Sequence, residues 1–382
     1  MHKRPTFNRK KWNKKQLAKL KIRKSTNQRP MKAKQSFQTR KQGAWKLPGL
    51  VIVGLICMIL FLPTLVVLPF ISKDTHEQVA IEKKMQNVET VAEEEEEEAA
   101  VTVSVMRHQT EDIEDVPFET YVSRVIANEM PAEFELEALK AQALAARTFI
   151  VNLLLQEKGE NPDGYDVTDT ENHQVYSNDD ELKKKWGADY HEKMSKITEA
   201  VNATKGEILT YKNNPIFPAF FSTSNGFTEN SEDYWKDELP YLRSVKSEWD
   251  KDSPKFLDQK IMEIGEVATA LNIQLPANQE IPIAVSRTES ERVKEITIGE
   301  HKFSGRVARE KLNLRSNDFT VKQKNNHLIF TTKGFGHGVG MSQYGANGMA
   351  QEGKTYEEIV KYYYQDIEIT KMTDSVPALV SR

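Results

Sequence analysis

The longest apolar segment of the chain lies near its N-terminus. Residues 47–71 run for 25 positions without a charged side chain, which as an α-helix would extend roughly 37 Å and cross the hydrocarbon core of a bilayer with some tilt. Pro63 inside the segment is compatible with a membrane helix. A cleaved signal peptide fits less well, because the apolar run is long and no small-residue cleavage site follows it. The pattern predicts an uncleaved single-pass anchor.

Amphipathic helices are predicted at the start of the following domain. Apolar side chains share one face over residues 117–130, and Pro131 should end this helix. Over residues 135–155 apolar positions recur at spacings of three and four, which predicts a longer core-facing helix rich in alanine. Residues 193–205 are typical of a third helix, which Gly206 would end.

The later part of the domain changes to short apolar segments that turn residues separate. The predicted strands are residues 207–211, 216–222, 281–288, 293–298, 318–322 and 328–332. A helical pattern interrupts them at 259–271, and an aromatic-rich helix follows at 356–364. The sequence therefore predicts an α+β fold, with helices first and antiparallel strands later, after an N-terminal transmembrane helix.

These elements divide the chain into five parts. We expect a basic cytoplasmic tail at 1–46, the anchor at 47–71, an acidic flexible linker at 72–110, a catalytic domain at 111–370 and a C-terminal tail at 371–382. The linker contains six consecutive glutamates, whose mutual repulsion favours an extended chain.

The charge distribution predicts the orientation of the anchor. The first 46 residues hold 17 Lys and Arg and no acidic residue, whereas the remainder holds 36 Lys and Arg against 56 Asp and Glu. Basic residues beside an apolar span stay in the cytoplasm, so the domain is expected outside the membrane. The tail would contact anionic lipid headgroups. A nucleic-acid partner is not expected, because the tail lacks a stacking pattern of aromatic residues.

Cysteine usage excludes several kinds of chemistry. Cys57 is the only cysteine, and it lies within the predicted anchor. The external domain therefore has no intrachain disulfide, no thiol nucleophile and no Cys-based zinc site. An exported domain without disulfides is typical of a bacterium with a simple envelope.

Glu129 is the candidate catalytic acid. It closes the first predicted helix, where Pro131 fixes the direction in which the chain leaves. Its apolar neighbours Ile126, Ala127 and Met130 could desolvate the carboxyl and raise its pKa, as a general acid requires. The alternative is an ordinary surface carboxylate, since 56 acidic residues are present.

The densest signal is a glycine-rich segment, residues 334–345, which holds five glycines in twelve positions. Such a segment requires unusual backbone geometry or the close approach of a ligand, and both interpretations remain open. His337 stands between two of these glycines. Ser224 belongs to a weaker polar loop of the same character. Arg147 lies beside the apolar stripe of the second helix and must meet an anion, either in the protein or in a ligand.

Taken together, these segments resemble the sporulation-D/LytB family over roughly residues 110–370. The resemblance rests on Val-Ile-Ala-Asn-Glu-Met-Pro at 125–131, on Glu-Ala-Leu-Lys-Ala-Gln-Ala-Leu-Ala-Ala-Arg-Thr at 137–148, and on Gly-His-Gly-Val-Gly-Met-Ser-Gln-Tyr-Gly-Ala at 336–346. Shorter matches occur at 173–176, 240–242, 303–305 and 314–316.

The resemblance implies a lytic transglycosylase of peptidoglycan, which cleaves the bond after N-acetylmuramic acid and leaves a 1,6-anhydro end without consuming water. It assigns the acid/base to Glu129. The predicted substrate-binding residues are Arg147, His173, Tyr241, Ser224, His337, Ser342 and Gln343. Clostridial members hold zinc through Cys ligands, which the external domain here lacks, so we predict no metal and no cofactor. The usual Ser-Gly-Gly loop is Ser-Asn-Gly at 224–226.

The resemblance also implies a role in engulfment during endospore formation, in the intermembrane space that faces the forespore. A membrane-bound sporulation amidase and a polytopic membrane protein would be partners, and amidase-stripped glycan strands the preferred substrate. Two alternatives remain open. One is a non-catalytic wall-binding or amidase-activating module, and the other is a water-using muramidase with a second carboxylate such as Asp166 or Asp169.

Overall fold

A computed structural model describes residues 101–156, 164–170, 172–276 and 279–375. The predicted tail and anchor, and the linker up to residue 100, lie outside the described residues. The helices are α1 (Phe118–Glu129), α2 (Leu136–Gln156), α3 (Asp179–Trp186), α4 (Tyr190–Ala203), α5 (Ser231–Trp235), α6 (Ile264–Leu271), α7 (Gly305–Lys311), α8 (Gln343–Gln351), α9 (Tyr356–Tyr363) and α10 (Met372–Ser375), with 3₁₀ turns at Gly187–Asp189 and Glu248–Asp252.

The strands are short, and they form several small sheets. They are β1 (Thr102–Met106), β2 (Ile113–Pro117), β3 (Val167–Thr168), β4 (Glu207–Tyr211), β5 (Asn214–Pro215), β6 (Phe220–Phe221), β7 (Leu257–Glu263), β8 (Ile283–Arg287), β9 (Val293–Ile298), β10 (His301–Ser304), β11 (Asp318–Lys324), β12 (His327–Lys333), β13 (Met341–Ser342) and β14 (Glu368–Lys371). Their orders are β2-β1-β3, β14-β4-β5, β13-β6, β10-β9-β8 and β11-β12-β7.

The helical core forms around α2, which α1, α4, α8, α9 and β4 contact. Helix α1 begins directly after Pro117 and ends before Pro131, as predicted. Within the described residues, Leu136–Leu155 of α2 is the one helical stretch long and apolar enough to cross a membrane, and 72% of its most apolar window is buried inside the domain. We interpret α2 as a core helix, because its alanines allow neighbouring elements to approach closely.

A second hydrophobic core lies in residues 257–333, which we call the β-lobe. Its two three-stranded antiparallel sheets, β10-β9-β8 and β11-β12-β7, pack with α6 and α7. Val267, Ile296, Phe319, Leu328 and Phe330 are fully buried in this core. The mixed α/β class with antiparallel sheets is therefore confirmed, and each core is built from its own set of apolar side chains.

Several predicted boundaries are wrong. Strands β1 and β2 precede the helices, and Val103 and Val105 of β1 are fully buried, so the segment assigned to the linker joins the domain core. The predicted strand 216–222 shrinks to Phe220–Phe221, because Pro218 cannot donate a ladder hydrogen bond. The predicted helix 259–271 is a strand up to Glu263, where a capping box starts α6.

Arg147, a predicted substrate-binding residue, lies in the helical core instead. Its side chain is fully buried, and Nη2 lies 2.8 Å from a carboxylate oxygen of Glu119 on α1. Nη1 donates to the carbonyl of Glu207 at 3.1 Å, and Nη2 to that of Val201 at 3.2 Å. The guanidinium therefore joins four elements and makes no contact with the cavity described below. The anion that its position required is Glu119, and its role toward substrate stays a prediction.

Ser224 and Ser342, two further predicted substrate contacts, instead hydrogen-bond a buried carboxylate. Asp250, in the 3₁₀ turn Glu248–Asp252, accepts from the Ser224 backbone N–H at 2.9 Å and from the Ser224 hydroxyl at 2.8 Å. It also accepts from the hydroxyls of Ser247 and Ser342 at 2.5 Å each. Burial raises the pKa of Asp250, and these hydrogen bonds act in the opposite direction. We call this group the Asp250 cluster.

Asp250→Asn should change the free energy of unfolding by less than about 1 kcal/mol, whereas Asp250→Ala should cost roughly 2 to 3 kcal/mol. The amide oxygen can still accept from the Ser224 N–H, and the rotatable serine hydroxyls can accept from the new NH₂ group. Urea unfolding of the full chain measures both. Equal losses for the two variants would contradict the hydrogen-bonding role.

The same variants test the pH dependence. Because burial raises the folded-state pKa of Asp250 above its unfolded value, its contribution to stability is fully present below the unfolded pKa. The contribution is lost as pH rises through the folded-state pKa. The free energy of unfolding of the wild type should therefore fall with pH between these two pKa values. Asp250→Asn should lack this pH dependence.

Candidate functional site

One cavity of about 610 Å³ contains the candidate acid. It lies where the end of α1, one face of α2, the end of α5 and the glycine-rich segment converge. Its lining residues are Glu129, Phe149, Asn152, Leu153, Asn172, His173, Gln174, Phe217, Pro218, Ala219, Phe220, Trp235 and His337. The structure thus brings together three of the predicted site residues: Glu129, His173 and His337.

Glu129 is the last residue of α1 and is half-buried. A helix ends with carbonyls that have no partner inside the helix, and α1 has no basic residue in its last turn. Lys185 Nζ donates to the carbonyl of Ala127 at 3.3 Å, and Gln343 Nε2 donates to that of Glu129 at 2.9 Å. Two side chains from distant parts of the sequence therefore fix the backbone that carries the carboxyl.

Gln343 was predicted to contact substrate, and the structure gives it a positioning role. It is only 6% exposed and does not line the cavity. Besides its bond to Glu129, its amide lies 3.4 Å from Oε1 of Gln142 on α2. Its neighbour in the chain, Ser342, caps α8 and bonds to Asp250, so these two adjacent residues connect the Asp250 cluster to the backbone of Glu129.

His173, a predicted substrate-binding residue, lies on the cavity wall. Its Nδ1 accepts a hydrogen bond from the backbone N–H of Thr168 at 3.1 Å. An acceptor nitrogen carries no proton, so the proton of a neutral ring sits on Nε2. The tautomer is therefore set by the short strand β3, to which Thr168 belongs.

His337 also lines the cavity, and its ring is held inside an aromatic cluster. Ring centroids of Trp235, Tyr234 and Phe221 lie 5.2, 5.6 and 5.7 Å away. Burial lowers the pKa of His337 to about 3, and the nearby Arg309 and Arg292 act in the same direction. Its Nδ1 accepts from the Val339 N–H at 3.0 Å. His337 is thus a neutral, fixed wall at physiological pH.

Tyr241, another predicted substrate-handling residue, is buried behind the cavity. It is 9% exposed and does not line the cavity. Its hydroxyl accepts a hydrogen bond from the backbone N–H of Phe217 at 3.1 Å, and Phe217 does line the cavity. Tyr241 therefore supports the wall from behind, and its contact with substrate stays a prediction.

The aromatic wall of the cavity could not be predicted from the sequence. Phe217 and Trp235 face the same cavity although they are 18 positions apart in the sequence. Neither belongs to a motif, and no periodicity relates them. Only the packing of α5 against the segment before β6 brings the two rings together, at a centroid distance of 5.5 Å.

The described residues contain no group of three or more His, Cys, Asp and Glu side chains that could hold a metal ion. The expectation that the site uses no metal and no cofactor stays a prediction.

Comparison with known proteins agrees with the motifs. A family model described as stage II sporulation protein matches residues 106–211. Stage II sporulation protein D of Bacillus amyloliquefaciens is 47% identical over 324 residues, which cover 83% of this chain and 94% of that protein. The protein of the same name from Bacillus subtilis strain 168 is 47% identical over 321 residues, with the same coverage.

A more distant relative has a different name. The amidase enhancer of Bacillus subtilis strain 168 is 28% identical over 300 residues, which cover 64% of this chain and 40% of that protein. The identity and coverage shared with the two sporulation proteins are far higher. The chain belongs to the stage II sporulation protein D family.

Proposed function

We propose that this chain is a membrane-anchored lytic transglycosylase that cleaves peptidoglycan glycan strands and leaves 1,6-anhydro-muramyl ends. The observation that carries the proposal is the position of Glu129. It ends α1 at a cavity with aromatic walls, and among the described residues that line the cavity it is the only carboxylate. A reaction that needs a single carboxyl group fits such a site.

One carboxyl group can perform both proton transfers. Protonated Glu129 donates its proton to the glycosidic oxygen as the bond from that oxygen to the muramyl C1 breaks, and the electron pair leaves with the oxygen. The muramyl 6-hydroxyl then attacks C1, and its proton passes to the Glu129 carboxylate. The anhydro ring closes, the acid is restored and no water is consumed. His173, with its proton on Nε2, is placed to donate a hydrogen bond to the sugar.

A muramidase would need a second carboxylate to activate water. The two candidates for it have other partners. Asp166 accepts from the Ser104 backbone N–H at 2.9 Å, and Asp169 accepts from that of His108 at 3.0 Å. Neither lines the cavity. The structure therefore favours the anhydro-forming reaction over hydrolysis.

An amidase-activating or wall-binding module without catalysis is the second candidate function. The similarity to the amidase enhancer supports it. The two candidates differ in a measurable way, because only an enzyme changes the glycan ends.

The cellular setting is part of the proposal. We place the domain outside the membrane, in the space that faces the forespore during engulfment, with a sporulation amidase and a polytopic membrane protein as partners. Amidase-stripped strands would be the preferred substrate. The basic tail would bind anionic lipid on the cytoplasmic side.

Glu129→Gln should lower the rate of glycan cleavage by at least about 10²-fold, because the amide keeps the shape of the side chain but cannot transfer the proton. Mass analysis of fragments that the full chain releases from purified walls measures the rate and the product. Anhydro ends identify a transglycosylase, reducing ends identify a muramidase, and intact strands identify a non-catalytic module.

Glu133→Gln and Glu135→Gln are the matched controls, since both side chains lie close in sequence and are exposed. They should cleave at the wild-type rate. Anhydro products at a near wild-type rate from Glu129→Gln would refute the catalytic assignment.

Gln343→Met should lower kcat several-fold and leave KM nearly unchanged, because it removes the bond to the Glu129 carbonyl without touching the cavity. The variant should lower the free energy of unfolding by about 1 kcal/mol. Gln351→Met, the same change at the exposed end of α8, is the control. A raised KM with unchanged kcat would instead indicate that Gln343 contacts substrate.

The proposed topology has its own test. Protease added to intact protoplasts should digest residues 72–382 and spare the tail at 1–46, because the basic tail keeps the N-terminus inside. Antibodies against each end detect the fragments. A protected C-terminal domain would exclude a wall substrate.

A further inference from the structure

The cavity contains an aromatic surface that the proposed reaction leaves without a role. Phe217 is 39% exposed, which is unusual for a large apolar side chain in this domain. Its ring meets that of Trp235 edge to face, with an interplanar angle of 81°. Both side chains line the cavity that holds Glu129. Apolar surface left exposed in a cleft generally marks a binding site.

The two rings are held in place before any ligand arrives. Trp235 packs on His337 and on Tyr234, whose ring centroid lies 5.4 Å from its own. The His337 ring is itself fixed, because its Nδ1 accepts a hydrogen bond from the Val339 N–H. The backbone of Phe217 is fixed by its bond to the Tyr241 hydroxyl. A surface ordered in advance loses little conformational entropy when it binds.

The chemistry of the other lining groups restricts the ligand. Asn152 and Asn172 bring amide groups to the cavity, and the described lining residues include no Lys or Arg. A neutral ring with hydroxyl and acetamido groups would therefore find hydrogen-bonding partners there. The face of such a sugar ring carries C–H groups, which suit the negative face of an aromatic ring.

We propose that Phe217 and Trp235 form a stacking platform for a neutral N-acetylhexosamine ring, next to the lactyl-bearing ring on which Glu129 acts. This inference rests on the proposed function, because it assumes that the cavity takes a glycan strand. It adds the identity of the bound sugar and the residues that select it.

Phe217 is the better position to test, because Trp235 is packed among other rings and its truncation could disturb the fold. The test measures binding of a neutral N-acetylglucosamine oligomer to the full chain by calorimetry, in the Glu129→Gln background so that no cleavage occurs. Phe217→Ala should weaken binding about 5- to 10-fold. Phe217→Leu should weaken it similarly, since it keeps apolar volume but loses the aromatic face, and Phe217→Trp should restore it.

Phe227→Ala is the matched control. Phe227 is 38% exposed, nearly the same as Phe217, but does not line the cavity. The Phe227→Ala variant should bind the oligomer as tightly as the background protein does. Three outcomes would each overturn the platform. They are equal binding by Phe217→Ala and Phe227→Ala, undiminished binding by Phe217→Leu, and no binding of the oligomer by the background protein.

The outcomes separate this inference from the proposed reaction. Binding that depends on Phe217, in a chain whose wild type releases no anhydro ends, would leave the platform standing and refute the transglycosylase. If wild type and Phe217→Ala both release anhydro ends with equal KM, the transglycosylase stands and the platform is refuted.

Discussion

The cavity depends on the close approach of the glycine-rich segment to the chain around β6. Strand β13 pairs with β6 in parallel, Met341 opposite Phe220. Just before it, Gly340 has φ +79°, and a Cβ there would lie 1.9 Å from the carbonyl oxygen of Ala219. Only glycine allows this contact. Because the two segments touch here, His337 reaches the wall of the cavity and Gln343 reaches the end of α1.

The motif that looks most like a ligand-binding loop is therefore a scaffold for the candidate acid. Ser342 and Ser224 direct their hydroxyls to Asp250, away from the cavity, and a Cβ on Gly345 would meet the Ser247 hydroxyl at 2.4 Å. A buried carboxylate left without donors would be costly, so the serines are needed for folding. Their consequence for chemistry is indirect: they hold Gln343, and Gln343 holds Glu129.

Local signals in the sequence were sufficient for α1, α2 and the position of Glu129 at the end of α1, because two prolines, a helical period and a helix end are properties of neighbouring residues. Contacts between residues distant in the sequence could not be predicted from such local patterns. The anion that Arg147 needs lies 28 positions away, and β7 became a strand because it pairs with β12, more than 60 positions later. The aromatic wall has the same origin, since topology alone brings Phe217 to Trp235.

The electrostatics of the cavity follow from its packing. The rings around His337 limit its contact with water and keep it neutral, and the bond from Thr168 leaves Nε2 of His173 as the nitrogen that can donate. The lining amides carry no charge, so Glu129 is the one acidic group among the described residues of the wall. A hydrolase of the two-carboxylate type divides acid and base between two residues. In the proposed reaction a single group acts first as acid and then as base, and the attacking hydroxyl comes from the substrate itself. The rigidity of the α1 terminus then has a chemical reason, since the same carboxyl must reach the leaving oxygen and the 6-hydroxyl in turn.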